Sequence, residues 1–179
     1  GIANYSMNNF ESARSHLEAY VQASPNELAP QRILATVYMR TGEFRNAVNI
    51  LKNMLAIWPD DPQLLNMLAQ AYDKAGDHQL SILTFEKALN QSKDNPRLQE
   101  QLAISKMNAG FLEQGLSELN NLFFADEPNT SSGLALAVTL LNQQKYNEAI
   151  KITRELVEQN PGDIAKQNLL AISLVSLGE

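Results

Sequence analysis

Residues 34–59 read LATVYMRTGEFRNAVNILKNMLAIWP, and this stretch decides the fold. Leu34, Val37 and Tyr38, with Ile33 before them, fall at three- and four-residue steps, as do Ala47, Val48, Leu51, Met54 and Leu55. That spacing predicts two amphipathic helices. Gly42 stands between them, where a left-handed cap carries little steric penalty, and Pro59 follows the second.

The same pattern recurs along the chain at one constant interval, the step from Ala35 to Ala69. Small residues stand at Gly1, Ala35, Ala69, Ala103, Ala137 and Ala171, and a leucine precedes each from Leu34 onward: Leu68, Leu102, Leu136 and Leu170. A second small series runs Ala13, Ala47, Ser81, Gly115, Ala149. If a small residue has a chance of roughly one in four, eleven matches in register arise by accident about once in a million, so the period reflects architecture. Counting from Leu28, four complete repeats occupy 28–61, 62–95, 96–129 and 130–163, flanked by partial repeats at 1–27 and 164–179.

Turn and break residues obey the same period. Glycine marks the helix-to-helix turn at Gly42, Gly76, Gly110 and Gly178, with Asn8 and Gln144 in the other two places. The prolines Pro25, Pro30, Pro59, Pro62, Pro96, Pro128 and Pro161 all lie at junctions between repeats, where no intrahelical N–H bond is lost. The expected fold is therefore all-α, about ten helices in antiparallel pairs, one solenoid over residues 1–179. Small residues let paired helices approach closely while Leu, Tyr and Phe fill the remaining space.

Composition agrees and narrows the function. A hydrophobic share of 44% suffices for a core, and aromatics are few at 7%. The net charge of -6 disfavours a nucleic-acid partner, which needs a concentrated basic face. Without cysteine there is no disulfide, thiolate metal site or cysteine nucleophile. No apolar run reaches the ~18 residues of a membrane span and no signal peptide is visible, so direct membrane insertion of these residues is not expected. Because the chain starts and stops within helical patterns, it reads as part of a longer protein, with any targeting signal elsewhere.

The set Leu34-Ala35, Tyr38, Gly42, Phe44, Ala47, Leu51 and Pro59, repeated through Leu68-Ala69, Tyr72, Gly76, Phe85 and Ala88, resembles the tetratricopeptide repeat signature. The likeness extends over the whole chain and implies a right-handed α-α superhelix. Lys106 replaces the tyrosine of other repeats, Thr153 the Leu51 or Phe85 type, and Lys93 and Glu127 a usual proline, which predicts slightly looser later repeats. More narrowly, the runs FESARSHLEAYVQASP, PDDPQLLNMLAQAYDKAGD and NPGDIAKQNLLAISLVSLGE resemble the tetratricopeptide lipoproteins of bacterial PEP-CTERM protein-sorting systems linked to exopolysaccharide. That resemblance implies a lipid-anchored solenoid of the bacterial cell envelope; without it a cytoplasmic location is expected.

Chemistry is sparse. His16 and His78 lack partners at metal-ligand spacing; His78 takes the place of Phe10, Phe44 and Tyr146 at the helix-pair junction, and His16 faces solvent. No phosphate loop, HExxH or G-x-S-x-G occurs, so no catalytic residue, cofactor or metal is expected. Asp60-Asp61 is read as a capping pair before a helix that begins at Pro62, and Trp58 as a cover for the end of its own helix. Asn90-Gln91-Ser92 and Asn129-Thr130-Ser131 match the glycosylation acceptor pattern, a match that Asn- and Ser-rich chains produce readily.

A partner is expected on the first helices of the repeats, which the resemblance places along a concave groove. Arg32, Thr36, Arg40, Asn66, Gln70, Asp73, Lys74, Arg97 and Gln101 form a polar stretch; Ile104, Met107, Leu134, Val138, Leu141, Ile172 and Val175 form an apolar stripe beyond what packing requires. Polar members would hold a peptide backbone or carboxylate and apolar members its side chains. Arg32, Asn66 and Arg97 resemble the carboxylate-clamping residues of chaperone-binding relatives, but Met67 and Gln101 stand where further polar or basic members are usual.

The reading that follows is a non-enzymatic scaffold for a peptide or protein segment. Its alternative is a regulatory or accessory segment of a larger enzyme. Self-association through exposed solenoid ends is a third expectation.

Overall fold

The computed structural model describes residues 10–25, 27–92, 94–125 and 129–178. Gly1, Asn8, Lys93, Glu127, Pro128 and Glu179, which figure in the repeat pattern, lie outside them. Ten α-helices and no strand occur among the described residues: α1 Phe10–Ala23, α2 Leu28–Thr41, α3 Phe44–Ile57, α4 Pro62–Ala75, α5 His78–Gln91, α6 Pro96–Asn108, α7 Leu112–Phe123, α8 Thr130–Asn142, α9 Tyr146–Gln159 and α10 Ile164–Leu177. The first helices of the repeats begin at Leu28, Pro62, Pro96, Thr130 and Ile164, and the second helices at Phe10, Phe44, His78, Leu112 and Tyr146. Within each series every start lies one full repeat after the last, so the sequence period is carried into the backbone without slippage.

Local chemistry sets these boundaries. Gly42, Gly76, Gly110 and Gly178 have φ of 80–96°, and Gln144 takes the same turn with φ 59°. A side chain rarely adopts this backbone region without strain, which explains why glycine recurs there. At the other end of the first helices, Asp61, Asn95, Asn129 and Asp163 hold equivalent places in successive repeats. The Asp61 carboxylate accepts from the N–H groups of Gln63 (2.9 Å) and Leu64 (3.0 Å). Asn95, Asn129 and Asp163 accept in the same way at the starts of α6, α8 and α10. Asp60, the other half of the acidic pair, meets Lys87 Nζ at 3.3 Å.

The helices form two compact units, divided between Leu98 and Gln99. In the first, each of α1 to α5 packs against its neighbour in sequence. Its core holds Ala13, Leu17, Leu34 and Val37 in one cluster and Ala35, Ala47, Leu51, Met54, Leu64, Leu68 and Ala71 in another, with Trp58 packed against the second. In the second unit α7 packs on α8, α8 on α9 and α9 on α10. Its core gathers Ala103, Leu116, Leu119, Phe123, Leu136, Ala137, Leu140, Ala149, Ile152 and Leu156.

Most members of the two small-residue series lie inside the helix packing; Ala171, on the last described helix, is exposed. Ala13, Ala35, Ala47, Ala69, Ala103, Ala137 and Ala149 are completely buried. Ser81 is buried too, with its hydroxyl donating to Ala69 O at 2.9 Å, so its polar atom has a partner inside the α4–α5 contact. A Cβ at Gly115 would meet Ala103 O at 2.5 Å and collide with the Met107 side chain; at Gly133 it would meet the Phe123 ring at 2.5 Å and Leu156 at 3.1 Å. The later repeats are not loosened at Thr153, which is fully buried with its hydroxyl bonded to Ala149 O at 2.9 Å, or at Lys106, whose ammonium meets Glu118 at 2.6 Å.

Overpacking of a close contact costs about 1–3 kcal/mol. Gly115→Ala and Gly133→Ala are each expected to lower the thermal midpoint by several degrees, while Gly162→Ala, whose Cβ would enter ordinary contact distance at 3.9 Å, leaves it unchanged. Melting curves followed by circular dichroism check this, and equal midpoints for all three variants would contradict the close-approach account.

Candidate functional site on the first-helix face

The polar candidates Arg32 to Arg97 all belong to the first unit, and the apolar ones from Ile104 onward to the second. Several polar candidates are already engaged. The Arg32 guanidinium, half-buried on α2, donates to Gln63 Oε1 at the start of α4 and ties one repeat to the next. Thr36 Oγ donates to Arg32 O at 2.9 Å within its own helix. Asn66 accepts from Gln70 at 2.9 Å. Asp73 lies 2.9 Å from His78 Nδ1 across the α4–α5 turn, which gives His78 a polar role at the junction. Gln101 is half-buried on α6.

What remains is cationic. Arg40 and Lys74 occupy the same place on α2 and α4, one repeat apart; both are exposed, and neither has an ion pair among the described residues. Arg97, also exposed, contributes only its backbone N–H to the Asn95 cap. The acidic side chains of this unit are largely committed elsewhere: Glu43 binds Arg14 at 2.8 Å, and that hydrogen bond holds its carboxyl below the usual range.

In the second unit the apolar stripe needs correction. Met107, Leu134 and Leu141 are half-buried and pack against the core cluster, so packing does require them. Ile104 is half-buried as well. Exposed members are Val138 at 46%, and Ile172 and Val175 at 55% and 73% on α10.

Two features escape the sequence reading. Glu100 on α6 accepts from Ser131 Oγ (2.7 Å) and Asn129 Nδ2 (3.2 Å). Glu100 is the counterpart of Arg32 two repeats on, and Ser131 of Gln63, so the same two positions staple successive repeats in both units. It also gives Asn129 a structural role, because both ends of its amide are occupied. The other feature is the location of the clefts. One of ≈ 400 Å³ lies among α7, α8 and α9, with Leu116, Leu136, Leu140 and Ile152 at its base; another of ≈ 300 Å³ lies among α1, α2 and α3. Both open between second helices.

Tyr38 lines the smaller cleft. Burial, and the hydrogen bond it donates to Glu18 at 2.8 Å, push its phenol up to about 12. A raised acid pKa means the folded state holds the proton more tightly than the unfolded chain, whose tyrosine titrates near 10. Stability from this group is complete below pH 10 and is lost as pH rises through about 12. Urea unfolding between pH 9 and 12 should show that decline, with a shallower slope in Tyr38→Phe; identical slopes would contradict it.

Among the described residues no helix is long and apolar enough to cross a membrane, and no three His, Asp or Glu side chains cluster to hold a metal. Comparison with known proteins matches the sequence profile of the tetratricopeptide repeat to residues 5–70 and 41–103, and a second profile described in the same words to residues 132–163. A curated relative, the Hsp70-Hsp90 organizing protein of Triticum aestivum, is 25% identical over 99% of this chain, which spans 31% of that protein's length. A thermophilic tetratricopeptide protein of Thermus thermophilus superposes with a TM-score of 0.73 at 17% identity, covering 98% of this chain and 95% of that one. YrrB, described as a tetratricopeptide protein with an unusual peptide-binding site, gives 0.59 at 16% identity over 89% of this chain and 82% of its own.

Proposed function

The chain belongs to the tetratricopeptide repeat family, and on that premise we propose that it is a non-enzymatic scaffold that holds a peptide or protein segment on its first-helix face. The observation that carries this reading is the pair Arg40 and Lys74, two exposed cations in equivalent places on consecutive first helices of an acidic chain. A folded protein gains little from two solvated like charges, whereas a carboxylate-bearing segment laid across α2 and α4 meets both. Arg97 extends the cationic side.

Two relatives support a binding role in general terms. The organizing protein is named for two other proteins, and YrrB for a peptide site. The narrower placement in a bacterial envelope system for protein sorting or exopolysaccharide export rests on the sequence runs quoted above. A lipid-modified cysteine and further repeats in the flanking sequence would support it; a transferase or kinase domain there would favour the accessory-segment reading.

Binding of fluorescein-labelled decapeptides of Glu and Ser to the full chain tests the cationic pair. Arg40→Glu with Lys74→Glu should weaken binding about fivefold or more at low salt, and added salt should weaken the parent likewise. Equal binding by parent and variant, or no dependence on salt, would overturn the assignment of this face.

A further inference from the structure

The cleft among α1, α2 and α3 carries an unusual rim. Its base is apolar, with Leu34 and Ile50, and its rim presents four carboxamides: Gln22 from α1 and Asn46, Asn49 and Asn53 from α3. All four are exposed. Among the described residues the side chains of Gln22, Asn49 and Asn53 make no hydrogen bond, and Asn46 donates only to Glu43, at 2.9 Å. Glu18 is the one ionised side chain of the lining; its Oε1 accepts from Tyr38 and lies 3.9 Å from Arg14. Apart from the second oxygen of Glu18, the free hydrogen-bonding capacity of the cleft is made of amides.

Helix stability does not account for the asparagines. Asparagine is among the weaker helix formers, because its side chain competes for backbone groups. Three repeats on, a cleft in the same register has Leu136 and Ile152 in the places of Leu34 and Ile50, while Glu148 and Lys151 replace Asn46 and Asn49. Those replacements are stronger helix formers. The backbone thus tolerates charged residues here, and the first unit has amides instead.

We propose that this amide-lined cleft binds the main chain of an extended, uncharged peptide segment, at a site separate from the first-helix face. A carboxamide presents a donor and an acceptor together and so matches the N–H and C=O of a single peptide residue. Along α3, Asn49 and Asn53 are about 6 Å apart at 1.5 Å per residue, close to the ~6.6 Å between groups on one side of an extended chain. Alternate side chains of such a segment would rest on Leu34 and Ile50. The inference does not depend on the cationic pair, and either can fail alone.

The test uses the full chain with asparagine labelled by nitrogen-15, titrated with acetyl-(Ser-Leu)3-amide while the side-chain NH2 resonances are followed. The expected result is saturable shifts at Asn49 and Asn53, at least tenfold weaker binding to Asn49→Leu with Asn53→Leu, and comparable weakening when alternate peptide nitrogens are methylated. Leucine is the better helix former, so the double variant should melt no lower than the parent; a lower midpoint leaves the methylated peptide on the parent chain as the deciding arm. Absence of shifts, or equal binding of the methylated peptide, overturns main-chain recognition. Shifts with maltotetraose and none with the peptide overturn it in favour of a carbohydrate ligand.

Discussion

The close approach of helices at two positions in every repeat is the constraint on which the rest of the structure depends. A first helix contributes Ala35, Ala69, Ala103 or Ala137, a second helix Ala47, Ser81, Gly115 or Ala149; all are buried, and a Cβ at Gly115 would meet Ala103 O at 2.5 Å. Dispersion attraction falls steeply with separation, so the leucines and aromatics around these contacts contribute fully only when the backbones are near. From that single requirement come the regular helix starts and the repeated left-handed turns, with a side-chain cap on the first helices from Pro62 onward. Buried serine and threonine conform to it, because Ser81 and Thr153 satisfy their hydroxyls against nearby carbonyl groups.

Function follows from what packing leaves over. In the first unit, stapling of successive repeats engages Arg32 through Gln63, and the α4–α5 turn engages Asp73 through His78. Arg40 and Lys74 have neither duty. Elsewhere in the same unit, the amides of α3 line a cleft whose acidic and phenolic groups are mutually bound. The unit thus presents two chemically different surfaces, one cationic and one dominated by amides.

The fold is legible because its signals are local and repeated. Glycine at a turn, proline at a junction and alanine at a crossing each report a steric fact about their own position, and several copies remove ambiguity. The cap series Asp61, Asn95, Asn129 and Asp163 is written just as regularly, yet Asn95 and Asn129 do not stand out, because Asn is common throughout the chain. Site residues are less legible. Helical periodicity cannot separate an exposed apolar residue such as Val138 from a half-buried packing neighbour such as Leu134, since both lie on one face. Partners far apart in sequence, as for Arg32 and Gln63 or Glu100 and Ser131, emerge only when successive repeats are in contact. The clefts between second helices escape a linear reading for a similar reason: three separate helices build them.

Native-state amide hydrogen exchange resolved by residue tests the central claim most directly. Protection should rise and fall with the period of the repeat, with maxima around the buried alanines such as Ala47 and Ala149 and minima at the turns of Gly42, Gly76 and Gly110. Protection that bears no relation to the repeat, or that is absent from the small-residue crossings, would contradict the account.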